Sequence, residues 1–110
     1  MNTNKAMAEL VLEKTDDWDD ETVVCVVDSA FRGLFGKETD YTVSVYILDE
    51  EAFRKGQEAD KTYSLETLWK YSKSGPKKDP YHSLVKVATV TFARNESTGA
   101  VEGWNLVPVE

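Results

Sequence analysis

Three groupings of residues in this sequence could do chemistry. They are a run of carboxylates at Asp16, Asp17, Asp19, Asp20 and Glu21 around Trp18, the pair Cys25 and His82, and the lysines Lys70, Lys73, Lys77 and Lys78. Carboxylates are hard oxygen donors suited to calcium or magnesium, but an EF-hand loop needs glycine in its sixth place and a bidentate Glu in its twelfth. Counting from Asp17, those places hold Thr22 and Asp28, so the pattern fails and no metal is expected. The run holds more carboxylates than one helix cap requires. An aromatic inside a charged patch has the make-up of an interface hot spot. Asp16, Asp17, Asp19, Asp20 and Glu21 are therefore read as a partner-binding surface with Trp18 as its apolar anchor, and Asp49, Glu50 and Glu51 as a second acidic patch.

A cysteine nucleophile needs a base beside it. His82 is the only histidine, and nothing in the spacing brings it to Cys25. An inert, half-buried thiol and a surface histidine are the expectation. A single cysteine also excludes an intrachain disulfide and cysteine-type zinc sites. The four lysines flank Gly75-Pro76, with Tyr71 and Tyr81 near enough in sequence to stack on bases, so they form a possible anion contact. They lack the repeated glycines and the Lys-Ser/Thr ending of a phosphate-binding loop. A solvated loop, pairing with Asp79 or with the acidic turn, is the plainer reading. No carboxylate pair stands out for glycoside hydrolysis, and no Gly-x-Ser-x-Gly turn supports a serine nucleophile. No catalytic residue and no cofactor is expected.

Charge narrows the partners. The net charge is −7, but it is unevenly spread. Residues 1–60 carry 15 acidic and 6 basic residues, a net of −9, while residues 61–110 carry 5 acidic and 7 basic residues, a net of +2. Such a first half repels nucleic-acid phosphates and suits a basic protein surface. No run approaches the ~20 apolar residues of a membrane span, nothing near the start has the make-up of a signal peptide, and the expected compartment is the cytoplasm.

The elements that must position these residues follow from periodicity. With 110 residues, 41% of them apolar, one domain over residues 1–110 with one hydrophobic core is expected, residues 1–5 being frayed. Ala6, Ala8, Leu10 and Leu12 alternate with charged and other residues over 6–14, which reads as a half-buried strand. Val23, Val24, Val26, Val27, Ala30, Phe31, Leu34 and Phe35 fall on one half of a helical wheel. Residues 23–35 therefore read as a long helix closed by Gly36. The competing reading is a strand over 22–27 followed by a short helix over 28–35, because valines favour strands. Tyr41 to Leu48 is a strand, and Asp49 caps a short helix over 50–55 that Gly56 ends. Ser64 caps a second short helix containing Leu65, Leu68, Trp69 and Ser72. Residues 84–93 and 100–107 form two strands joined by a hairpin loop over 95–99. An edge strand of this kind could add to a partner's sheet.

The order β-α-β-α-α-β-β predicts an α+β domain with a mainly antiparallel four-stranded sheet and the long helix on one face. The expected function is that of a non-enzymatic, acidic protein-binding or inhibitor domain. Its partner would be a basic protein, a nucleic-acid-binding protein being the natural class. Small acidic phage and plasmid proteins that block host defence nucleases share this size and charge, an analogy of composition alone. The alternative is a small-ligand or enzymatic domain with a pocket between helix and sheet, marked by Ser44, Tyr46 and Thr89.

Overall fold

A computed structural model describes residues 3–19, 22–33 and 36–110. The elements run α1 (Thr3–Lys14), β1 (Val23–Arg32), β2 (Glu38–Leu48), α2 (Glu50–Ala59), α3 (Leu65–Ser74), a 3-10 turn (Pro76–Lys78), β3 (Leu84–Asn95) and β4 (Val101–Pro108). The four strands form one antiparallel sheet in the order β1-β2-β3-β4. The expected α+β class, the four-stranded antiparallel sheet and the order of elements from β2 onward are all present.

The first two elements differ from expectation. Residues 6–14, expected as a strand, belong to α1. Asn4, Met7, Ala8 and Val11 are its buried residues, the spacing of one helical face. Its Ala, Met, Leu, Glu and Lys side chains are strong helix formers, and the period-two alternation over 6–12 is incidental to that face. Residues 23–32, expected as the first part of a long helix, form β1. Here the intrinsic preference of four valines wins. Val23, Val24 and Cys25 are all buried, so the start of β1 is covered on both faces and carries no alternation to separate strand from helix. No helix exceeds the twelve residues of α1 among the described residues. Leu34 and Phe35, the end of the expected helix, lie outside the described residues.

The core lies between α1 and one face of the sheet. Met7, Ala8 and Val11 pack on Val23, Cys25, Val43, Val45, Ala88, Val90 and Phe92. Cross-strand pairing aligns Cys25 with Val45 and Ala88, and Val27 with Val43, Val90 and Leu106, so each row presents apolar side chains to the helix. Phe92 stacks between Tyr41 and Trp104 at centroid separations of 5.3 and 5.4 Å.

The segment between β2 and β3 holds α2 and α3. Both expected caps are present. The Asp49 carboxylate accepts from the N–H groups of Glu51 and Ala52, and Ser64 and Thr67 form a reciprocal capping box. Gly56 does not end α2, which continues to Ala59. It is buried instead against aromatic rings, and a Cβ there would lie 2.6 Å from Tyr63 and 2.9 Å from Tyr81. Those two rings meet edge-on at 4.7 Å, with Phe53 5.3 Å from Tyr63. The glycine is the notch that lets the aromatic cluster sit against α2.

Gly56→Ala therefore reverses the usual rule for helices. Alanine gains about 1 kcal/mol of helix propensity, but overpacking costs roughly 1–3 kcal/mol. A net loss of stability is expected in urea unfolding; a stabilised variant would show that the rings move aside freely.

Candidate partner-binding surface

The acidic run follows α1. Asp16, Asp17 and Asp19 are exposed, while Trp18 between them is half-buried and packs against the main core. The anchor expected to face a partner thus fastens the loop to the chain's own interior and leaves the carboxylates to solvent. Asp20 and Glu21 lie outside the described residues.

Backbone hydrogen bonds then bring Asp19 to the second acidic patch. The N–H of Thr22 donates to the Asp19 carbonyl at 3.1 Å, and the Thr22 carbonyl accepts from the N–H of Leu48 at 2.8 Å. One residue further on, the N–H of Asp49 donates to the Ser83 carbonyl at 2.8 Å. Asp19 and Asp49, thirty positions apart in sequence, therefore flank the same end of the sheet. Glu50 and Glu51 follow in the first turn of α2, where carboxylates suit the positive end of the helix dipole. Among the described residues the one ion pair is Glu51 with Lys55 at 3.5 Å, both side chains about 70% exposed, a geometry that contributes little. The carboxylates of Asp16, Asp17, Asp19 and Glu50 are not neutralised by it.

The lysines divide between two elements. Lys70 and Lys73 are exposed on α3, and Lys77 and Lys78 are exposed on the 3-10 turn. The fold adds Lys5 from α1, whose Nζ lies 5.8 Å from the Trp69 ring centroid, a cation-π distance. Lys5, Lys70 and Lys73 surround Trp69 in a shallow depression that Glu66 also lines. Sequence spacing gives no signal for Lys5, which is 64 positions from Trp69. Neither expected stacking tyrosine stands free: Tyr71 is half-buried and Tyr81 packs edge-on against Tyr63.

Asp79, expected as a counter-ion for the lysines, is fully buried. Its carboxylate accepts from the Tyr63 hydroxyl at 2.7 Å, the Ser83 hydroxyl at 2.8 Å and the N–H groups of Ser83 and Tyr81, each at 3.1 Å. Burial on its own would raise its pKa, but these donors outweigh burial and hold the carboxyl below its usual range. The knot fixes the loop that leads into β3.

Cys25 is closed to solvent within the core, and burial pushes its thiol up to about 12. His82 is exposed in the loop before β3. Among the described residues no group of three metal-ligating side chains is placed to hold an ion. The space between α1 and the sheet is occupied by core side chains. Ser44 and Thr89 pair across β2 and β3 at positions that alternate with the core-facing Val43, Val45 and Val90, and so lie on the face away from α1. The Ser44 hydroxyl donates to the Asp28 carboxylate. An open cleft of about 300 Å³ runs along α1, lined by Met7, Leu10, Glu13, Arg94 and Val101 among others.

Two outcomes follow. Asp79 has a folded pKa below its unfolded value, so its contribution is complete above the ordinary carboxylate range and is lost as pH falls through the folded pKa. Asp79→Asn should destabilise the protein by about 1–3 kcal/mol at neutral pH. The gap to the parent should narrow in acid; urea unfolding at the two pH values checks this, and a constant gap would contradict it. Cys25 should resist thiol reagents at about pH 8 in the folded protein and react fully once urea unfolds it.

No protein-family model, curated protein or solved structure matches the chain.

Proposed function

We propose that this chain is a non-enzymatic binding domain that docks its acidic end on a basic protein surface and so inhibits or sequesters the partner. One observation carries the reading: the hydrogen bond from Leu48 to Thr22 brings Asp19 and Asp49 to one end of the sheet. Asp16, Asp17 and Asp19 are exposed and form no ion pair among the described residues, whereas after Asp49 Glu51 pairs with Lys55 and Glu50 shares a shallow depression with Arg54. A surface of this kind gains most from a partner that supplies the missing cations, through steering and through charge complementarity. Proteins that bind nucleic acid present such cations, which makes a nucleic-acid-binding protein, including a host defence protein met by a phage or mobile element, the natural class of target.

Binding rather than catalysis is favoured by where the perturbed groups lie. Of the groups whose proton affinities are displaced, Cys25, Tyr63 and Asp79 are buried. Tyr41 and Tyr46 are half-buried on β2, Asp60 is exposed, and none of these last three lines the clefts beside α1 or α3. Catalytic groups with such shifts would be expected in a cleft. The centre of the space between α1 and the sheet is filled by core side chains, and the cleft where α1 meets β3 and β4 is open to solvent, so an enclosed ligand pocket draws little support from the packing.

The test is a titration against a panel of basic nucleic-acid-binding proteins. Binding to the cognate partner should weaken steeply as salt rises. The combined reversal Asp16→Lys, Asp17→Lys and Asp19→Lys should weaken it by on the order of tenfold or more. A complex indifferent both to salt and to these reversals would overturn the proposal.

A further inference from the structure

The two edges of the sheet are finished differently. On β1 the outward N–H of Val27 donates to the Asn4 side chain at 3.1 Å, and α1 and α3 both pack along that strand. On β4 nothing comparable is present among the described residues. The Val109 N–H donates to the Val87 carbonyl at 2.8 Å. By alternation Val107 and Asn105 also turn their backbone groups toward β3, opposite Thr89 and Thr91. Trp104 and Leu106 therefore direct their N–H and C=O groups away from the sheet. Their side chains share the half-buried face packed on the core, whereas Asn105 and Val107 are exposed on the other face. Pro108 has no N–H to offer and closes the strand.

We propose that β4 pairs antiparallel with β4 of a second copy of this chain, about a two-fold axis at Asn105, to make a continuous eight-stranded sheet. The pattern of free groups is self-complementary. Trp104 of each copy meets Leu106 of the other as a hydrogen-bonded pair, so both exchange their outward N–H and C=O groups. On the α1 side the same pairs place Trp104 against Leu106, extending the apolar row that already contains Phe92. On the other face the two Asn105 side chains meet without charge.

The charge on the strand favours this occupant. Glu102 is the only ionisable residue from Val101 to Pro108. In this register the two Glu102 side chains stand at opposite ends of the joint, about 20 Å apart. The remaining strands carry Asp28 and Arg32, Glu38 and Asp40, or Lys86 and Arg94. A second copy still brings a like net charge of −7, so self-pairing should tighten as salt is added. That dependence is opposite in sign to docking on a basic partner, and it separates the two proposals.

The experiment is sedimentation or light scattering over a concentration series of the full chain, with cross-linking beside it. The expected result is a species of twice the 12.4 kDa chain mass, favoured by concentration and by salt. Asn105→Lys, which sets two like charges directly opposite each other, should weaken it roughly threefold to tenfold. Asn105→Thr should leave it intact and controls for folding. Asn105→Cys sits at a non-hydrogen-bonded pair, where Cβ atoms approach closely enough for a disulfide. It should cross-link on oxidation, while Glu102→Cys should not. A monomer at every concentration overturns the proposal. So does a dimer that Asn105→Lys leaves unchanged and Asn105→Cys does not join.

Discussion

A single buried amide ties three elements of this fold together. The Asn4 side chain accepts from the N–H of Val27 and donates to the Ser72 hydroxyl at 3.3 Å, linking α1 to the outer edge of β1 and to α3. The meander order makes β1 an edge strand, and an edge leaves backbone groups that must find partners elsewhere. Asn4 meets that need from the first turn of α1. With it in place, Met7, Ala8 and Val11 fall on the sheet and close the core. The position of α1, the burial of Cys25 and the placing of Lys5 over Trp69 follow from the same anchorage.

This constraint explains which parts of the fold were legible. Features set by neighbours in sequence were readable: the Asp49 and Ser64 caps, the strand centred on Val43 and Val45, and the loop at Asn95 to Gly99, where Gly99 takes a φ of +77°. In the first thirty residues the strand over 6–14 and the long helix over 23–35 are both replaced. Of the competing reading, the strand over 22–27 is present from Val23 while the helix over 28–35 is not, since β1 runs on to Arg32. A short run of Ala, Leu and Glu satisfies both a period of two and a helical face, and only the sheet beneath it decides. A strand buried on both faces looks like a buried helix on a wheel, and that cover comes from tertiary packing. Gly56 has the sequence signature of a helix end, but its reason, the rings of Tyr63 and Tyr81, lies outside its own helix.

The candidate surface was readable as composition and not as geometry. Charge counting picked out the two acidic patches, but their meeting at one sheet end depends on the pairing of Thr22 with Leu48. Asp79 is wholly internal, and Trp18 packs on the core with one part while the other stays exposed. Each lies in a polar stretch, and polarity alone did not reveal that the fold draws both inward. The knot of Asp79, Tyr63 and Ser83 had no sequence signal, since its members are joined only once α3 has turned the chain back.

The segment between β2 and β3 has a consequence for how the chain reaches its native state. Leu48 and Leu84 are paired neighbours at the base of that ladder, yet α2, α3 and the 3-10 turn lie between them. The β1–β2 and β3–β4 connections are far shorter, so each of those hairpins closes a small loop, whereas the central ladder must close a large one. Assembly would then run through two independent hairpins that meet last along β2 and β3. The bond from Asp49 to Ser83 and the Asp79 knot shorten the effective span by fixing the ends of the excursion. The helical segment acts as one oversized turn, and whatever loosens it lengthens the loop that the central ladder has to close.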